Sequence, residues 1–146
     1  MNKKIVDQAS KLHEEGFNCS ESVLLLTASE WGIRNKIFPR IATGFGGGMG
    51  RKGYICGALS GGVIALGARY GRDRGADTAA RDKTYTLVRE LFKKFEDEFG
   101  SVNCRELTGC DLTTSEGRER LKKLHEEKCA KYISRTAELV LELASC

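Results

Sequence analysis

Proline occurs once in this chain, at Pro39, and the alternation of apolar and polar residues that marks a strand is almost absent. Apolar residues recur instead at three- and four-residue spacing, which is the signature of amphipathic helices. Ile5, Ala9 and Leu12 mark a first helix that ends near Gly16. A second begins at Asn18, carries Val23 to Leu26 and stops after Trp31 at Gly32. A short turn around Phe38 to Ala42 precedes a glycine-rich loop, Gly44-Phe45-Gly46-Gly47-Gly48-Met49-Gly50-Arg51-Lys52-Gly53. Thr84, Val88, Leu91, Phe95 and Phe99 define a long helix closed by Gly100, and a short Cys104–Thr108 turn ends at Gly109. Helical sequence then runs from Thr113-Thr114-Ser115 to the last residue, with room for one interruption, and Cys129, Ile133, Thr136, Val140 and Leu143 share one face. The chain therefore reads as all-α, a compact helical bundle.

The segment from Tyr54 to Tyr70 carries two stripes at helical spacing. Ile55, Leu59, Val63, Leu66 and Tyr70 are large, whereas Gly57, Gly61, Ala65 and Ala68 are small. A glycine inside a helix costs about 1 kcal/mol relative to alanine, and close approach of another backbone offsets that cost. This segment is expected to be the central, buried helix. No linker or low-complexity tract divides residues 1–146, so a single domain is expected, large enough to bury a core without crosslinks.

Cysteine placement is the strongest chemical signal. Asn18-Cys19-Ser20-Glu21 and Asn103-Cys104-Arg105-Glu106 repeat one phrase, in which an N-capping Asn is followed three residues later by a Glu able to return the hydrogen bond. Cys56 leaves the glycine loop and enters an apolar helical run. The amides and macrodipole at a helix start favour anions, so thiols there are expected to ionise readily and to serve as nucleophiles or metal ligands.

The net charge of +4 is modest, and the densest basic patch, Arg69, Arg72, Arg74 and Arg81, has interspersed acids and no aromatic platform. Nucleic-acid binding is not expected. No apolar run approaches membrane-spanning length, and Asp7 stands where a signal peptide would be apolar. A cytoplasmic protein is expected, in which six cysteines point to metal or redox chemistry more than to crosslinks.

No Cys-x-x-Cys occurs, which excludes a zinc ribbon, a thioredoxin dithiol and a bacterial ferredoxin run. Free cysteines also serve simply as small buried hydrophobes, and for Cys129 on its apolar face that role stands level with ligation. Gly48-x-Gly50-x-x-Gly53 matches a dinucleotide string, but no strand precedes it and no Walker Lys-Ser/Thr pair completes it. The loop is better read as a place where backbone approaches a cofactor or a facing helix closely. An anion nest beside Cys56, with Arg51 and Lys52 nearby, is the minority reading. His125 stands four residues before Cys129, so both face one site if that helix is unbroken, while His13 has no special context.

The order of Cys19, then Cys56-Gly57-Ala58-Leu59-Ser60-Gly61, then Cys104 and Cys129 resembles the C_GCAxxG_C_C family, whose members are regarded as redox-active proteins of about this length. The resemblance runs from Phe17-Asn18-Cys19 to Cys129-Ala130-Lys131-Tyr132. It implies that the four defining cysteines are Cys19, Cys56, Cys104 and Cys129, with Cys110 and Cys146 incidental. A related cysteine-bearing segment in split-Soret cytochromes is associated with an iron–sulfur site. Lacking Cys-x-x-Cys-His, this chain should carry no covalently attached haem.

The resulting expectation is that Cys19, Cys56, Cys104 and Cys129 converge at helix N-termini and bind an iron–sulfur cluster, most simply [2Fe–2S], for electron transfer with a redox partner protein. Gly46, Gly47, Gly48 and Gly57 would let the cofactor sit against the backbone. The alternatives are a metal-free thiol–disulfide protein with Cys56 and Cys19 as its working thiols, a structural zinc site, and a module whose glycine loop holds an anion. A homodimer through the close-packing glycines and an exposed Trp31 region is a further alternative to burial of both in the monomer core.

Overall fold

Capping residues begin and end the helices much where the sequence places them. In the computed structural model, which describes residues 2–145, α1 spans Lys3–Glu14 and is opened by Asn2, whose side chain accepts from the amides of Lys4 and Ile5. Asn18 opens α2 (Cys19–Trp31) with a complete capping box: its side chain accepts from the Glu21 amide, and Glu21 accepts from the Asn18 amide, both at 2.9 Å. Gly32 closes α2 in the left-handed region, φ 66°. A 3₁₀ segment, Arg40–Phe45, leads into the glycine loop.

α3 (Gly57–Tyr70) starts three residues later than the apolar periodicity suggests. Tyr54 to Cys56 are instead drawn out beside Val102 to Cys104: Ile55 bridges Asn103 in antiparallel fashion, the Cys56 amide donates to Val102 O at 2.8 Å, and the Cys104 amide donates to Tyr54 O at 2.6 Å. α4 (Thr78–Phe99) is opened by Asp77 and closed by Gly100. α5 (Cys104–Thr108) ends at Gly109. α6 (Ser115–Leu124) begins at Thr114, whose side chain accepts from the Gly117 amide. The interruption falls at residues 125–128, and α7 (Cys129–Ala144) follows. Among the described residues there are seven α-helices and no strand, so the protein is all-α. Among the described residues no helix is long and apolar enough to cross a membrane.

α3 is the hub, packed on α2, α4 and α7. Its small stripe faces α2: a Cβ at Gly61 would strike Ser20 O, and one at Gly57 would lie 3.2 Å from Cys19 Cβ. Gly62, on another side, would place a Cβ 3.0 Å from both Leu91 and Val140. Leu24, Leu59, Leu66, Leu91 and Phe95 are fully buried around this contact, each stabilising the fold by about 1.5–3 kcal/mol relative to exposure. The last turn of α3 escapes the core, leaving Ala68 exposed. Trp31 is not the open patch anticipated. It is half-buried against the core, and the Arg69 guanidinium lies 4.8 Å above its ring. Cys146, expected to be frayed, lies outside the described residues.

Candidate functional site: four thiols beside a basic cleft

Each of the four cysteines stands at the start of a helix. Cys19, Cys104 and Cys129 are the first residues of α2, α5 and α7, and Cys56 is the residue before α3. The matching of Asn18 and Asn103 does not extend to capping, because Asn103 makes no side-chain cap bond. Its backbone is committed to the bridge with Ile55, and its side-chain NH₂ donates to Glu106 Oε1 at 3.1 Å.

Folding brings these helix starts together. The paired segments 54–56 and 102–104 set Cys56 opposite Val102 and Cys104 opposite Tyr54, so the two cysteines lie diagonally across one bridge, and the α2–α3 contact sets Cys19 against Gly57. Each of the four sulfurs is within electrostatic reach of the other three. Cys56, Cys104 and Cys129 are buried and Cys19 is half-buried. All five described cysteines are free thiols. Among the described residues no group of three or more His, Cys, Asp or Glu is arranged to hold a metal ion as the side chains stand.

The glycine loop supplies the nearest backbone. Gly47, Gly48, Met49, Gly50 and Arg51 have consecutive positive φ, so the chain turns through a left-handed run. Gly48 is required there for a second reason, since a Cβ would come within 2.8 Å of both Cys104 Cβ and Tyr54 O. Met49 (φ 69°) and Arg51 (φ 72°) hold the same conformation without that licence, at about 1–2 kcal/mol each. Of the other glycines expected to face a cofactor, Gly46 lies against the Asn18 side chain, Gly47 against Arg51 and Gly57 against Cys19.

Helix starts do not ionise all four thiols. Burial pushes Cys56 up to about 12, against the pull of the Ala58 and Leu59 amides at the head of α3. Burial and the neighbouring Cys129 and Cys110 push Cys104 up to about 11. Desolvation of a thiolate outweighs the helix-start amides at these two positions, which corrects the expectation of an easily ionised Cys56. The low-pKa thiol is Cys129. The Cys19 thiol donates to it, and His125 and His13 favour its anion, so Cys129 is pulled down while Cys19 is pushed up. Tyr132 stands beside the same sulfurs, with its hydroxyl donating to Leu107 O at 3.2 Å.

Two members of the site were weak in the sequence. His125 reaches Cys129 although the helix between them is broken, because the turn at 125–128 folds it back. His13, from α1, stacks on His125 with ring centroids 3.5 Å apart. That both of the chain's histidines meet here was visible only as their scarcity. Cys110, set aside as incidental, is buried with Cys104 and Leu112 in a small second core.

Cys19 and Cys129 also form part of the wall of a cleft of about 700 Å³, facing Gly46, Gly47, Arg51 and Arg118.

The sequence model of a family described as "Putative redox-active protein (C_GCAxxG_C_C)" matches residues 17–143. The chain belongs to this family. The matched span contains all four converging cysteines and both paired segments. The family name places Gly before and Ala directly after its second cysteine, whereas this C_GCAxxG_C_C protein has Ile55 and Gly57 there. Ile55 serves the bridge to Asn103, and Gly57 makes room for Cys19. The chain is also similar to an uncharacterized protein of Archaeoglobus fulgidus, 28% identical over 147 residues, covering 95% of this chain and 92% of that protein. No solved structure matches it.

Proposed function

We propose that this chain is a redox protein whose Cys19, Cys56, Cys104 and Cys129 hold an iron–sulfur cluster, most simply [2Fe–2S], and that it exchanges single electrons with a partner protein in a reducing cytoplasm. The observation that carries this reading is the meeting of four thiols from four helix starts in one largely buried place. Buried sulfurs crowded in this way resist becoming anions unless a cation neutralises them, and ligation replaces their protons with metal. The donor set therefore fits a thiolate-ligated group. Such a group, when bound, supplies one-electron chemistry.

The chain's own residues supply the rest. α2, α3 and α7 pack on one another and so fix the backbone positions of three of the cysteines, leaving side-chain rotation to bring their sulfurs onto a metal. The amides of Ala58 and Leu59 favour negative charge on Cys56, and Gly48 lets the loop backbone close on Cys104. Cys129 sheds its proton most easily, and is the natural first ligand. Half-buried Cys19, on the cleft wall, gives the site its route to a partner.

The Cys19–Cys129 pairing supports a second reading. A thiol donating to a thiolate, with His125 alongside, is the arrangement from which a reversible disulfide forms. The Cys129 thiolate displaces one thiolate from an external disulfide, and Cys19 then displaces Cys129's partner from the mixed disulfide, so that two electrons and the Cys19 proton pass to the two external sulfurs. Anaerobic purification followed by iron, sulfide and zinc analysis separates the readings. Brown protein with equimolar iron and acid-labile sulfide is the expected result. Metal-free protein that gains a Cys19–Cys129 disulfide on mild oxidation establishes the dithiol instead, and one zinc per chain in colourless protein overturns both.

A further inference from the structure

The cleft beside the thiols has a charge pattern that thiol chemistry alone does not require. Arg51, Arg118 and Lys122 line it together with His13 and His125, and no aspartate or glutamate does so among the described residues. Arg118 spends one N–H on Leu112 O at 3.0 Å, and Lys122 pairs with Glu119 at the surface. Arg51 forms no ion pair and no side-chain hydrogen bond among the described residues. Its backbone nevertheless sits at φ 72°, a conformation that glycine would adopt freely. Arg51 thus holds a conformation that favours glycine and lines the cleft with no ion-pair partner among the described residues, which points to a role for its side chain there. At about 700 Å³ the cleft has the capacity of a small-molecule site. Its sulfur-bearing wall is formed by Cys19 and Cys129.

We infer that this cleft binds a small molecule bearing a carboxylate or phosphate group, its anionic end held by Arg51 and Arg118 and its body lying against Cys19 and Cys129. Planar guanidinium groups match such oxyanions through paired, charge-assisted hydrogen bonds. The redox relevance of this ligand rests on the four-thiol reading above, whereas its binding does not.

Calorimetric titration of the anaerobically purified full chain with citrate and, separately, with inorganic phosphate tests the inference. Saturable one-to-one binding of at least one of them is expected, and which of the two binds identifies the carboxylate or the phosphate source. Arg51→Gly should weaken binding roughly tenfold, Arg51→Glu should abolish it, and both variants should keep the wild-type iron, sulfide and thiol content. Arg51→Gly also relieves the backbone, so a raised unfolding midpoint would show that lost binding is not lost folding. As an independent readout on the reduced chain, the ratio of alkylation rates by iodoacetate and iodoacetamide cancels thiolate content and reports only the charge around the sulfur. It should exceed that of a free cysteine and fall in Arg51→Glu. Absence of saturable binding for both anions, or affinities unchanged in both variants, overturns the inference.

Discussion

Replacing Gly61 by alanine adds a methyl group on the face of α3 that lies against the backbone of α2, where it would strike Ser20 O, with Ser20 C and Cα each 3.0 Å away. The obstacle is a helix backbone and not the tip of a side chain, so it cannot swing aside. Restoring ordinary contact requires α2 and α3 to part locally by roughly 1 Å. Overpacking of this kind costs about 1–3 kcal/mol, against a helix-propensity gain of about 1 kcal/mol for alanine over glycine. Gly61→Ala should therefore lower the unfolding free energy by up to about 2 kcal/mol in urea titration. Gly67 provides the control within the same helix: a Cβ there would meet nothing within 4 Å, so Gly67→Ala should show only the propensity gain, up to about 1 kcal/mol. Because Cys19 and Cys56 begin the two helices being separated, Gly61→Ala should also lower iron and sulfide content, which Gly67→Ala should leave alone. Stabilisation by Gly61→Ala, or shifts of the same sign from both variants, would refute the close α2–α3 contact.

Other expectations follow from the same geometry. His125 favours the Cys129 anion, so His125→Asn should move the pH midpoint of iodoacetamide alkylation at Cys129 in the reduced, metal-free chain upward by roughly one unit; an unchanged profile contradicts the contact. Cys56 is shifted from 9.0 to about 12 on folding, so between those pH values the native state keeps a proton that the unfolded chain has lost. Stability of the metal-free chain should then fall as pH rises above 9.0, by up to about 1.4 kcal/mol per pH unit, and Cys56→Ala should remove that part of the slope in urea midpoints. The depressed Cys129 acts in the opposite sense, since its stabilisation is complete above 9.0 and is lost as pH falls through its folded value. Arg51→Gly should stabilise the fold by up to about 1 kcal/mol, the release of a left-handed non-glycine residue being partly offset by glycine's greater loss of freedom on folding, and no gain in urea titration would count against strain at that position.

The helices were readable because their signals are local. Asn18 and Glu21 cap α2 through residues three apart, and the apolar stripe of α7 is repeated in its own sequence. The small stripe of α3 announced a close neighbour but not which one; that Gly57 and Gly61 face α2 depends on contacts between distant segments. The pairing of 54–56 with 102–104 left no alternating pattern to read, being only one bridge long, and it displaced the expected start of α3. The membership of the four-thiol set came from a resemblance to a family, not from spacing. Its electrostatics are not legible in the sequence, because helix-start amides are a local feature, whereas the burial that opposes them is set by the whole fold. His13 is the clearest omission: an exposed histidine on a charged helix gains its meaning only from the ring of His125 laid over it.

The central claim is that sulfurs from four separate segments form one site. Iron and acid-labile sulfide per chain, measured on anaerobically prepared wild type and on single Cys→Ser variants at positions 19, 56, 104, 129 and 110, test it most directly. The account predicts metal in the wild type, its loss or marked weakening in each of the first four variants, and its retention in Cys110→Ser. Metal content indifferent to any one of Cys19, Cys56, Cys104 and Cys129, or absent from the wild type, would contradict it.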